Sequence, residues 1–593
     1  MDKSQVAALL EKIATLLALQ EDSNPFEPRA YENAARTINS LDGNIEQLLH
    51  EGKLKGVPGL GPKILQRITE IVETGQSSYY DELQARTPPV KLDMSRIAGL
   101  GPKRINAIYD QLRVTSLAEL ERACKEGRVA TLPGFGKKTQ DKILQGLQFL
   151  SEHTDRYLYA VAEQEAETIR AALAGRPEIV RLQVAGSLRR KRETVKDIDM
   201  VASVADDAGI KERQAIMDFF TGQPAVRAVT GKGETRSSVV LGSGIAMDLR
   251  VVSDSQFPYT LHHFTGSREH HIPLRRRALS MGMTINDYGL FRTTGGKEEL
   301  IPCKDEADMY AALGMDYIEP ELREDMGEIE AAIRHELPEL VKESDLRGVL
   351  HAHSTWSDGH NTIREMAEAC IARGYSYLGI TDHSQVAAYA GGLNEEALHR
   401  QWQEIDRLNA EFAGRLLILK GTECDILRDG TLDFSDNILA QFDFVVASIH
   451  SQFTLSPEEQ TRRMLNAIAN PYVDIIGHPT GRILLGRAGY ALDMEAVIDA
   501  AARHGVCIEI NADPLRLDLD WHLVHKARDK GIKIPINPDA HSLASIDNMR
   551  YGVGIARKGW LRATDVLNTL ESEQLLAFFK RRRKGRRPDK VQN

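Results

Sequence analysis

Gly186-Ser187-Leu188-Arg189-Arg190-Lys191-Arg192-Glu193-Thr194-Val195-Lys196-Asp197-Ile198-Asp199-Met200 reads as a turn, a basic loop and an apolar strand carrying two carboxylates. The Gly186-Ser187 turn leaves backbone N–H groups free to meet phosphate oxygens. Alternate positions on a strand project to one face, so Asp197 and Asp199 lie side by side. Ionised carboxylates at that spacing repel unless a cation lies between them, and hard oxygen ligands suit Mg²⁺. A later strand, Ile245-Ala246-Met247-Asp248-Leu249-Arg250, supplies a third carboxylate in Asp248. A bare Asp-x-Asp is more often a pair of solvated acids. Here the order of turn, arginines, Asp pair and third Asp is the equipment for nucleotidyl transfer, with metals for the phosphates and a turn plus Arg for a triphosphate.

Working outward, a chain of 593 residues is too long for one core and divides into several domains. Apolar content of 42% and charged content of 27% are those of an ordinary globular protein. A net charge of −10 argues against a chain that binds nucleic acid along its whole surface, while leaving room for local basic stripes. Five cysteines without a C-x-x-C pair fit a reducing compartment and exclude a disulfide framework or zinc knuckle. The amphipathic Val6–Leu19 run holds Glu11 and Lys12, so it reads as neither a signal peptide nor a membrane span. The expected location is the cytoplasm, in association with the nucleoid.

The N-terminal part reads as helices punctuated by three Gly-x-Gly hairpins, Pro58-Gly59-Leu60-Gly61-Pro62-Lys63, Gly99-Leu100-Gly101-Pro102-Lys103 and Pro133-Gly134-Phe135-Gly136-Lys137-Lys138. Each pair of glycines allows a tight turn, and the N–H groups opening the next helix can bind a DNA phosphate without reading sequence. Gly59, Gly61, Lys63, Gly99, Gly101, Gly134 and Gly136 are the candidate DNA contacts. At least two of the hairpins are expected to bind, with the third the best candidate for a packing role.

From Gly348 apolar strands alternate with helices, the pattern of a parallel sheet curling into a barrel. Metal-type side chains follow the strands: His351, His353, Asp358, His383, Glu423, His450, His478, Asp539 and His541. The C-terminal strand ends of such a barrel share one mouth, so these side chains converge. A lone histidine at a strand end is usually a satisfied core residue, but six His, two Asp and one Glu at the same end of successive strands are not. They can hold up to three ions of the Zn²⁺, Mn²⁺ or Fe²⁺ type, which activate a water against a phosphodiester. Arg482 and Arg487 are candidates for holding its phosphate, against the alternative of a solvated loop.

The Gly-Ser-x-Arg-Arg turn with its three aspartates resembles a family X DNA polymerase of the bacterial type, with a second catalytic domain attached. Phe26-Glu27-Pro28-Arg29-Ala30-Tyr31-Glu32-Asn33-Ala34-Ala35-Arg36 is similar to that family's N-terminal helix, and Phe264-Thr265-Gly266-Ser267 to its Tyr-Phe-Thr-Gly-Ser segment. The region after Gly348 resembles a PHP (polymerase and histidinol phosphatase) domain, with all nine of that family's metal positions filled. The resemblance implies that Asp197, Asp199 and Asp248 are catalytic, holding Mg²⁺ or Mn²⁺. It further implies that Gly186, Ser187 and Arg190 hold the triphosphate, that Phe264, Gly266 and Ser267 lie along the nucleotide, and that Arg275 supports the template side. His263 and His271 stand where many members carry Tyr and Asn, which bears on sugar selectivity and fidelity. Arg67 replaces the Schiff-base lysine of lyase-competent members, and a guanidinium cannot serve as an amine nucleophile.

The implied architecture is multidomain α+β: a helical helix–hairpin–helix part at 1–85 and 86–150, and a nucleotidyltransferase-type palm at 151–262. A nucleotide-binding subdomain at 263–324 and a linker at 325–345 follow, then a C-terminal (β/α)7-like barrel at 346–575 and a basic tail at 576–593. The implied activity is gap filling in DNA repair by a DNA-directed DNA polymerase, with a metal-dependent 3′–5′ exonuclease in the barrel whose chemistry extends to abasic sites. The implied partners are gapped or primer-template DNA and deoxynucleoside triphosphates, with no membrane, and the expected state is a monomer.

Overall fold

The computed structural model describes residues 3–20, 24, 26–41, 45–97, 100–153, 155–294 and 297–586. Contacts divide the chain into one unit of Met1–Thr154 with Leu485–Ala488 and another that holds Asp155–Leu484 and Gly489–Asn593.

The first unit is helical. Lys3–Leu19 buries Val6, Leu10, Ile13 and Leu17 against Tyr31, Ala34 and Ile38 of Phe26–Ser40, the spacing of amphipathic helices. Pro62–Thr74 adds Ile64, Ile68 and Ile71 to that core. A second core gathers Met94, Ile105, Ile108, Leu120 and Ile143 from the helices Pro89–Ser95, Pro102–Leu112, Leu117–Lys125 and Lys137–His153.

In the second unit a mixed sheet runs in the order Arg181–Val184, Asp197–Val204, Ala246–Ser253, Arg236–Leu241, Val226–Lys232. Ile198, Met200 and Ala202 alternate into a core shared with Met247, Leu249 and Val251, covered by the helices Tyr159–Ala174 and Ile210–Thr221. Val226–Lys232 is an edge strand, mostly exposed, and so lacks an apolar alternation. The Gly186-Ser187 turn proves to open a short helix, Gly186–Arg189.

The segment 325–345, read as the linker, is packed: its helix Glu328–Ile333 buries Ile329, Ala331 and Ala332, and Leu340 joins the same cluster as Tyr259, Met309 and Leu322. The basic tail is helical as far as it is described. Ser572–Arg586 buries Leu575 and Phe579, and Arg582 and Arg583 both bind the buried Asp474 carboxylate. The rest of the tail, 587–593, lies outside the described residues.

Beyond Gly348, parallel pairings run from Gly348–Val349 through Tyr377–Ile380 to Leu417–Lys420. They continue from Glu423–Asp425 through Val446–Ser448 and Ile475–Ile476 to Cys507–Ile508, and from Ile510–Asn511 to Ile536–Asn537. Single parallel bridges, His383 to Glu423 and Ala352 to Ala540, join the first run to the second and the last strand to the first. The pairing thus returns on itself, consistent with the expected barrel.

Candidate active sites

Parallel register between Asp197–Val204 and Ala246–Ser253 sets Asp199 directly opposite Asp248, and Asp197 lies two residues along on the same face. Burial, with the charges of Asp197 and Asp248, pushes the Asp199 carboxyl up to about 7. Burial and Asp248 likewise raise Asp197, and carboxylates crowded in this way form a centre that a divalent cation would relieve. Arg236 Nη2 donates to Asp248 Oδ2 at 2.6 Å, a partner that sequence reading missed because it comes from the neighbouring strand.

Gly186 has φ of 63°, and a Cβ there would collide with the Asp199 carboxylate, so only glycine brings this backbone against the acids. Ser187, Arg190 and Asp197 line one cavity. Arg190 is held from behind, its Nε donating to Glu324 Oε1 at 3.1 Å and its Nη1 to the Thr265 carbonyl. Its neighbour Arg189 is absorbed in packing, donating to Glu306 Oε2 at 2.5 Å and to Thr265 Oγ1 at 2.6 Å.

The nucleotide segment abuts this loop. A Cβ on Gly266 would stand 3.1 Å from Arg190 Nη1. Phe264 lies under the Arg250 guanidinium, 3.8 Å from its ring centroid. Ser267 is buried and accepts from His270 N at 3.1 Å, which makes it the cap of the helix Arg268–Ser280. Arg275 is exposed on that helix. His263 and His271 stack with centroids 5.7 Å apart. His262 and His270 are buried on Tyr310, and His270 Nδ1 lies 2.7 Å from Glu328 Oε1. The rings of His262, His263, His270 and His271 are therefore engaged in ring contacts and core packing.

All nine ligand candidates of the C-terminal ring converge. Glu423 sits at the hub: Oε1 is 2.9 Å from His478 Nε2 and 3.2 Å from His450 Nε2, and Oε2 is 3.0 Å from His383 Nδ1. Three sets could each hold an ion: His353, Asp358, His383 and His541; His351, His353 and Asp539; and His383, Glu423 and His450. His478 reaches the last through Glu423. The donor set fits divalent cations, because His351 Nε2 and both nitrogens of His353 are buried without a hydrogen-bond partner, a costly arrangement for a protein interior. Burial and the neighbouring His541 and His383 push His353 down to about 3, so its imidazole is neutral and keeps a lone pair.

Sequence reading missed the residues that orient these ligands. Glu509 Oε2 lies 2.8 Å from His351 Nδ1 and accepts from Asn537 Nδ2 at 2.8 Å. Its signal was visible, a charged residue inside the apolar run Val506–Ile510. Asp382 is buried and accepts from Ser354 and Gln401. Arg482, read as a phosphate holder, is instead occupied with Arg516 O at 3.0 Å and Asp520 Oδ2 at 3.4 Å. The guanidinium near the ligands is that of Arg516, 3.9 Å from Asp539.

In the first unit Gly61 caps Pro62–Thr74, Gly101 caps Pro102–Leu112, and Gly136 immediately precedes Lys137–His153. A Cβ on any of the three would meet open space. Gly59 and Gly134 take φ of 89° and 79°, which glycine alone adopts without strain. Lys63 is exposed at the first helix start; Gly99 lies outside the described residues.

Residues 260–324 match the family model described as DNA polymerase beta thumb, and residues 350–513 that of the PHP domain. Residues 1–77 match a helix-hairpin-helix domain and 91–148 a SAM-like helix-hairpin-helix tandem. The chain is 40% identical over 583 residues to the DNA polymerase/3'-5' exonuclease PolX of Bacillus subtilis (strain 168), covering 98% of this chain and 100% of that protein. A stretch of 235 residues, 37% of the chain, is 32% identical to a probable phosphatase of Thermoanaerobacter sp. (strain X514) and covers 89% of it. Among the described residues no helix is long and apolar enough to cross a membrane.

Proposed function

The chain belongs to the family X DNA polymerases that carry a PHP domain, and from that premise we propose that its palm carboxylates extend DNA across short gaps while its imidazole-rich centre trims 3′ ends. It is a DNA polymerase and a 3′–5′ exonuclease in one chain. Divalent cations supply the chemistry of both centres when bound: Mg²⁺ or Mn²⁺ on the palm oxygens neutralises phosphate charge, and Zn²⁺, Mn²⁺ or Fe²⁺ on the imidazoles acidifies a water.

Asp197 and Asp199 would hold both palm cations, and Asp248 would hold the one that acts on the primer 3′-hydroxyl. Arg236 keeps the Asp248 carboxylate oriented. The N–H groups at Gly186 and Ser187 and the Arg190 guanidinium take the phosphates. Phe264 and Gly266 border the nucleotide, Ser267 fixes their helix, and Arg275 faces the template strand. The hairpin glycines Gly59, Gly61, Gly99, Gly101, Gly134 and Gly136, with Lys63, hold the DNA backbone. At the second centre the nine ligands surround the scissile phosphodiester, with Glu509 fixing His351.

The register that places Asp199 against Asp248 carries the polymerase half of this reading. Asp199→Asn removes one metal charge and keeps the side-chain shape, so primer extension should fall by several orders of magnitude while 3′ degradation survives. His353→Ala should do the reverse. Loss of both activities in either variant, in protein still folded and DNA-bound, sinks the two-centre reading.

A further inference from the structure

A cavity of 480 Å³ opens at Ser187, Arg190, Lys196 and Asp197 of the palm, and its far wall is Trp521 and His522 of the PHP domain. That wall is fixed in place. Trp521 is buried, with Lys558 Nζ 4.7 Å and Arg192 Cζ 5.8 Å from its ring centroid. The His522 ring stacks on it at 3.5 Å. Asp520 Oδ1 lies 2.6 Å from His522 Nδ1 and accepts from His522 N at 2.9 Å, so Nδ1–H is held by the carboxylate and it is the imidazolium whose Nε2–H can donate to an anion. Arg482 ties Asp520 to Glu193, in the basic loop of the palm itself, at 3.4 and 3.5 Å.

The cavity also carries the carboxylates of Glu269 and Glu324 beside the basic Arg156, Arg190, Arg192 and Lys196. Glu324 is neutralised by Arg190, Arg192 and, at 2.8 Å, Lys558. Lys558 comes from the PHP helix Met549–Lys558, is wholly buried, and also donates to the Arg190 carbonyl at 3.0 Å. Without that third cation the Glu324 charge would weigh more heavily on the arginine beside it.

We propose that the PHP domain completes the polymerase's phosphate pocket: His522, braced by Asp520 and Trp521, binds the terminal phosphates of the incoming deoxynucleoside triphosphate and the departing pyrophosphate, while Lys558 positions Arg190. This rests on the assignment of the Gly186–Arg190 loop as the triphosphate site.

The test is single-nucleotide insertion by the full chain on gapped DNA. His522→Ala should raise KM for the deoxynucleoside triphosphate about tenfold, the loss of one charge-assisted hydrogen bond, with kcat within about twofold. KM for pyrophosphate in the reverse reaction should rise in step, His522→Arg should recover both, and 3′ degradation should stay unchanged. Ser187→Ala serves as the control for the pocket itself. If Ser187→Ala raises KM and His522→Ala does not, the PHP contribution is wrong and the pocket stands. If neither does, the pocket is not the triphosphate site and both readings fall. Equal loss of extension and 3′ degradation in His522→Ala, unrescued by Arg, would mean a structural role and overturn the proposal.

Discussion

Glu306 is the anchor beneath the phosphate loop, and its replacement by Gln should cost about 3 kcal/mol. The carboxylate is 5% exposed and accepts from Arg323 Nη1 at 2.6 Å and from Arg189 Nη2 at 2.5 Å. Burial by itself would raise this carboxyl, but Arg323 and Arg189 outweigh it and hold it down to about 2. A fall of that size from the ordinary value of 4.5 corresponds to about 3 kcal/mol, in line with the cost of breaking a buried ion pair. Glu306→Gln leaves Arg323, fully buried, with no countercharge. Because the folded pKa lies below the unfolded one, the contribution is complete above about pH 4.5 and is lost as pH falls towards 2. Hydrogen exchange at neutral pH reads the effect locally: protection in peptides spanning 306–324 should drop about 100-fold, since separate parts of so long a chain open independently. Acid should then erode the stability of the native chain between pH 4.5 and 2 and leave the variant nearly flat in that window. A drop in protection below about threefold would refute the ion triad as the loop's support.

The hairpins give a cleaner test of DNA binding than usual. Gly61 and Gly101 have φ of −64° and −74° and open space where a Cβ would go, so Ala at both should fold normally yet weaken binding to gapped DNA for all sequences alike. The salt dependence should flatten by about one phosphate contact per site, and unchanged affinity would argue against phosphate contact. Arg67 predicts an absence of lyase chemistry. Its guanidinium stacks 4.5 Å from the Tyr79 ring and lies 3.6 Å from Glu70, so borohydride should trap little or no protein on a 5′-incised abasic site. Efficient trapping abolished by Lys63→Ala would instead make Lys63 the nucleophile.

What could be read in the sequence was whatever chemistry is local. Asp197 and Asp199 announce a shared face through a two-residue step, and Asp248 repeats the apolar frame around them. The nine ligands are each written next to the strand that carries them, and parallel topology alone gathers them. What could not be read lies in pairings with large sequence separation. Nothing in the spacing of Lys558 tells that it will bury itself on Glu324, 234 residues earlier. The tail is a further case: its basic run gives no sign that Arg582 and Arg583 meet Asp474, more than a hundred residues away. Segment 325–345 misled through composition, since its acidic Glu328 is spent on the buried His270.

That last pairing bears on how the two activities can be separated. The palm and PHP halves do not meet across a solvated connector. Arg557 donates to Glu321 at 2.7 Å, Val341 N donates to Leu561 O at 2.9 Å, and Trp560 packs into the cluster that contains Tyr310 and Leu322. Cutting the chain near 345 would therefore expose an apolar seat and leave Glu321 and Glu324 without Arg557 and Lys558, next to Arg190. A truncated polymerase half with weak nucleotide binding would report that damage rather than any need for 3′ trimming. Single ligand substitutions such as His353→Ala leave the seam intact, and only they can show whether one centre works without the other.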